Sequence, residues 1–90
     1  MLIQPVQPVF VVVQIGERKY ACQLVSLSEN KIELQSNEYI EKESEVQFIA
    51  KHFRGLAVIE EIKFVGLYFT YQLSIEQIQF QPGLLINARL

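Results

Sequence analysis

From Lys19 to Leu73 apolar and polar residues alternate in short runs, the period-two signature of strands that bury one face. Ahead of this region, Val9-Phe10-Val11-Val12-Val13-Gln14-Ile15 is rich in β-branched residues and reads as a strand covered on both sides or lying at an interface. Pro5 and Pro8 hold the segment before it extended. Gly16-Glu17 is the first turn, and Lys19 to Val25 then sets Tyr20, Cys22 and Leu24 on one face. A polar turn from Ser26 to Asn30 leads into Lys31-Ile32-Glu33-Leu34-Gln35, with Ile32 and Leu34 inward. Ser36 to Ser44 is polar apart from Tyr39 and Ile40 and reads as a connection.

Val46, Phe48 and Ala50 define the next inward face. Phe53 to Phe64 carries a longer strand, with Leu56, Val58, Ile62 and Phe64 on one side and Ala57 and Ile59 on the other; Gly55 relieves crowding or marks a bulge. Val65-Gly66 turns the chain into Leu67 to Leu73, where Leu67, Phe69, Tyr71 and Leu73 alternate with Tyr68, Thr70 and Gln72. Ser74 can cap a short helix containing Ile75, Gln77 and Ile78, while Gln77 to Phe80 alternates equally well as strand; the helix is the reading taken. Pro82-Gly83 ends that segment before Leu84-Leu85-Ile86. The pattern predicts an all-β domain, a small antiparallel barrel of about six strands with a short C-terminal helix, because closing the sheet removes its exposed edges. Residues 1–90 form one domain, with 1–8 an extended N-terminal segment and 74–90 a C-terminal extension.

Composition narrows the function. A net charge of −2 and eight scattered basic residues, with no run longer than Arg18-Lys19, give no stripe for a phosphate backbone, so nucleic acid is not an expected partner. The apolar run from Pro8 to Val13 is far too short to span a bilayer, and the first eight residues lack a signal-peptide pattern, so a cytoplasmic protein without membrane insertion is expected. Cys22 is the single cysteine and suits core packing. His52 stands beside Lys51 and Phe53 with no Asp anywhere in the chain, and Glu60-Glu61 point to opposite faces of a strand. No metal set, nucleophile pair or carboxylate pair emerges, which predicts a protein that is not an enzyme and needs no cofactor.

The order of these elements resembles the PilZ domain family over roughly residues 19–73. It rests on the strand ending at Ser26, a Ser-containing turn, the strand with Ile32 and Leu34, a polar connection, Glu45-Val46-Gln47-Phe48, Gly55-Leu56-Ala57-Val58-Ile59, and Val65-Gly66-Leu67-Tyr68-Phe69. The resemblance implies a six-stranded barrel, commonly with a C-terminal helix, and in many members binding of cyclic di-GMP through an Arg-x-x-x-Arg segment and an Asp/Asn-x-Ser-x-x-Gly turn. Here the turn reads Ser26-x-Ser28-x-x-Lys31, and Gln4, Pro5, Val6, Gln7 and Pro8 stand where the arginines would lie. Gln and Pro replace neither the charge nor the planar fork that grips phosphate. The expectation is a noncatalytic protein-binding adaptor that does not bind cyclic di-GMP, of the kind the resemblance implies for type IV pilus assembly, motility or secretion. Its candidate contacts, to a protein partner or a second copy, are Phe10, Val11, Val12 and Val13 and the C-terminal Leu84, Leu85 and Ile86. The alternative is a divergent nucleotide receptor using Ser26, Ser28, Lys31 and Arg18.

Overall fold

The computed structural model describes residues 2–80; Leu84, Leu85 and Ile86 lie outside them. Seven strands follow in order: β1 (Leu2–Ile3), β2 (Phe10–Ile15), β3 (Arg18–Ser28), β4 (Lys31–Ser36), β5 (Glu45–Ala50), β6 (Phe53–Val65) and β7 (Tyr68–Phe80). Two-residue links at Gly16-Glu17, Glu29-Asn30, Lys51-His52 and Gly66-Leu67 make two three-stranded meanders, β2-β3-β4 and β5-β6-β7. Gly66 takes φ 64°, a conformation that costs a residue with a side chain more than it costs glycine.

The meanders close on each other by antiparallel pairing of β2 with β5 and of β4 with β7, giving a six-stranded barrel. The additional strand, β1, shares one edge of β3 with β2: Leu2 and Ile3 pair with Ser28 and Leu27, while Phe10 pairs with Gln23. Between them the chain leaves the sheet around Pro5 and Pro8, and Val6 is fully exposed.

Strand by strand, the alternation fills the interior. Val11 and Val13 come from β2, Cys22, Leu24 and Leu27 from β3, and Ile32 and Leu34 from β4. Val46 and Phe48 of β5, Phe53, Ala57 and Ile59 of β6, and Tyr71 and Leu73 of β7 complete it, with Ile40 as the plug supplied by the connection after β4. That connection is held by the Tyr71 hydroxyl, which donates to the Glu38 carbonyl at 2.6 Å and accepts from the Ile40 amide at 2.7 Å. It ends at Glu43, whose amide donates to the Ile59 carbonyl at 2.8 Å, and the Ile59 amide donates to the Ser44 carbonyl at 3.0 Å.

Three register shifts break the alternation, and each moves the inward parity by one residue. They fall between Leu24 and Ser26 in β3, between Ile59 and Glu61 in β6, and opposite Leu56 and Ala57, where β7 carries the extra residue Glu76. Inward residues therefore sit three apart at Leu24 and Leu27, at Ile59 and Ile62, and at Ile75 and Ile78. Three expectations change as a result. Ser26, Leu27 and Ser28 belong to β3, so the turn is only Glu29-Asn30, and Leu27 is core. In β6 it is Ala57 and Ile59 that point inward, and Leu56 and Val58 that point outward, while Ile62 and Phe64 return to the inner face beyond the bulge. The segment from Ser74 is strand rather than helix: Ile75 and Ile78 are three apart because of a bulge, not because of a helical turn.

Candidate functional site

Of the four candidate nucleotide residues, Ser26, Ser28 and Lys31 gather at the β3–β4 hairpin and Arg18 stands apart. Ser26 lies half-buried within β3. The Ser28 hydroxyl closes the β3–β4 hairpin, accepting the Lys31 amide at 3.2 Å and donating to the Lys31 carbonyl at 3.3 Å. Lys31 extends its ammonium to Glu60 Oε1 at 2.9 Å, which ties β4 to the bulge of β6. Arg18 stands at the opposite end of β3, its guanidinium 5.4 Å from the centre of the Tyr20 ring. An extended strand rises roughly 3.3 Å per residue, so the length of β3 separates Arg18 from Ser28 far beyond the span of one nucleotide phosphate group.

Of the residues considered for a protein contact, Val11 and Val13 are spent in the core at 0% and 1% exposure. Their neighbour Phe10 is 72% exposed and Val12 is half-buried. Phe10 borders a shallow cleft of about 250 Å³, lined also by Ala21, Gln23, Gln35 and Tyr68, where β3 and β4 part beyond the Gln23–Gln35 pair.

The floor of that cleft is Cys22 with Ser36. Ser36 is buried and fully used: its hydroxyl donates to the Ala21 carbonyl at 2.7 Å and accepts the Glu38 amide at 3.1 Å. Glu38 Oε2 in turn accepts the Ala21 amide at 3.0 Å, so the parted strands are bridged by side chains where the ladder stops. Burial pushes the Cys22 thiol up from 9.0 to about 11; the Ser36 hydroxyl pulls the other way and the Glu38 carboxylate adds to the rise.

A raised thiol makes the folded chain hold a proton that the unfolded chain gives up. The stabilisation from neutral Cys22 is therefore complete below pH 9 and is lost as the pH climbs through about 11. Urea midpoints measured from neutral pH upward are expected to fall over this window, and to fall less in Cys22→Val. Equal slopes for both proteins would show that the thiol is not the group responsible.

Sequence reading missed an exposed apolar surface. Past the end of the β5–β6 ladder, the β6–β7 hairpin runs on to the Gly66-Leu67 turn. Here Phe64 is 64% exposed, Val65 63%, Leu67 83% and Tyr68 46%. On the hairpin's inner face the Phe64 and Tyr39 rings stand 5.0 and 5.5 Å from that of Phe69. The signal was present in Phe64-Val65-Gly66-Leu67-Tyr68, a tight turn flanked by large apolar residues where polar ones are usual.

Among the described residues no three His, Cys or acidic side chains gather in a metal-holding group, and no helix is long and apolar enough to cross a membrane. His52 is exposed at the β5–β6 link, Glu60 is engaged by Lys31, and Glu61 lies 3.7 Å from Lys63. No family model matches the chain, and no curated protein has significant sequence similarity to it.

Proposed function

We propose that this chain is a noncatalytic, PilZ-like adaptor that binds protein and does not take up cyclic di-GMP. The observation that carries the reading is the β6–β7 hairpin tip, where Phe64, Val65, Leu67 and Tyr68 are all exposed. Large apolar groups exposed together at one turn favour a contact that covers them. The proposed contact is this tip rather than the β2 segment, whose Val11 and Val13 fill the core, with Phe10 and the half-buried Val12 remaining on the outer surface. Against messenger binding stand the engaged Ser28 hydroxyl, the Lys31–Glu60 ion pair and the remoteness of Arg18. The family resemblance supports a role in type IV pilus assembly, motility or secretion, and a cytoplasmic location is part of the same proposal.

The test is a proton–nitrogen NMR titration of the full chain with cyclic di-GMP. Unmoved, dispersed peaks are expected. Saturable shifts centred on Ser26 to Lys31 would overturn the reading in favour of a nucleotide receptor.

A further inference from the structure

We propose that the open edge of β6 is a homodimer contact, in which residues 60–64 pair antiparallel with the same segment of a second copy about a two-fold axis through Ile62. The inference rests on the protein-binding reading and names its partner. β6 pairs with β5 only as far as Val58, and the connection satisfies Ile59. From Glu61 to Val65, β7 lies on one side, and no described strand lies on the other. In a hairpin closed by two residues, the flanking pair exchanges both backbone hydrogen bonds. Counting back from Val65 and Tyr68, Lys63 and Glu61 turn their backbone groups toward β7, which leaves those of Ile62 and Phe64 facing the open edge.

The charges on this edge complement themselves. An axis through Ile62 sets Glu61 opposite Lys63 of the second copy, and symmetry repeats the pair, so one short sequence supplies two cross-strand ion pairs. Both side chains are exposed, with 51% and 66% of their surface open. Moving the axis to Lys63 would place that ammonium against its own copy and Glu61 against Val65, so charge selects the register. The chosen register also brings the two Ile62 side chains together and sets the exposed Phe64 diagonally across from the second Ile62.

Sedimentation velocity of the full chain over a wide concentration range tests the contact. The native protein is expected to dimerise with concentration. Glu61→Lys and Lys63→Glu should each weaken self-association by about tenfold or more, because each replaces attraction by repulsion at both symmetric pairs. An equimolar mixture of the two variants should recover the dimer as a heterodimer, and so should the double exchange in one chain. A native chain that stays monomeric, or a dimer indifferent to these exchanges, overturns the proposal. The adaptor reading is judged separately: a monomer that binds a different, purified protein and loses it on Leu67→Ser keeps the adaptor and removes this dimer.

Discussion

Gly55→Ala is expected to destabilise the barrel by about 3 kcal/mol, although it adds a single methyl group. Gly55 lies on the inner face of β6 beside Phe48 and opposite Ile78 of β7. A Cβ built there would overlap the Gln77 backbone carbonyl and lie 2.7 Å from Phe48 Cζ and 2.9 Å from the Gln77 carbonyl carbon. A flexible side chain could swing aside, but a strand carbonyl moves only with its ladder. Phe48 is fully buried and tilted against Phe53, 6.0 Å between ring centres, so it has nowhere to retreat. Urea unfolding of the variant measures the loss. Phe48→Leu in the same background should recover only part of it, since the carbonyl clash remains; full recovery would assign the whole cost to the ring.

Tyr71→Phe is expected to cost about 2–4 kcal/mol, although it removes a single oxygen. The ring is 1% exposed and the hydroxyl serves two backbone groups of the connection, the Ile40 amide and the Glu38 carbonyl. Without it both must find water or remain unpaired at the barrel end, and Ile40, itself 2% exposed, loses the tether that seats it. Amide exchange should separate this from general weakening: protection at Ile40 and in 37–44 falls first, while the β5–β6 ladder retains its own. Uniform loss throughout would mean that the connection and the barrel open as one unit. Burial also raises the Tyr71 hydroxyl above its ordinary 10.0, partly offset by the Ile40 amide, so this anchor keeps its proton across the neutral range.

Most of the barrel was legible because its strands alternate over enough residues to declare a face. The pairs Ile32 and Leu34, Val46 and Phe48, and Tyr71 and Leu73 all point inward as the alternation requires. What the alternation could not show was where it changes phase. A bulge leaves two inward residues three apart, a spacing that one sequence shares with a helical turn, so Ile75 and Ile78 suggested a helix and Leu24 and Leu27 suggested that a strand had ended. Pairing settles such cases, and pairing is a property of two segments. The extent of the turn was hidden for the same reason: Ser26 and Ser28 read as turn residues only if β3 stops at Val25, and it runs to Ser28. Val11 and Val13 looked available for a partner because the interior they fill exists only once β2 pairs with β5, far along the chain. The hairpin tip needed no pairing information, only attention to apolar residues in a turn.

The topology also dictates an order of assembly. Each meander is stitched by two-residue links, so its contacts form between neighbours in sequence and cost little loop entropy. The two seams are of another kind: Val11 meets Ala50 and Ile32 meets Leu73, and neither seam can form until the whole middle of the chain is in place. Refolding should therefore be limited by the docking of two preformed halves. Lengthening the 37–44 connection with glycine and serine would slow that step only slightly, since closure entropy grows with the logarithm of loop length, whereas shortening it below the span of the barrel end would stop it.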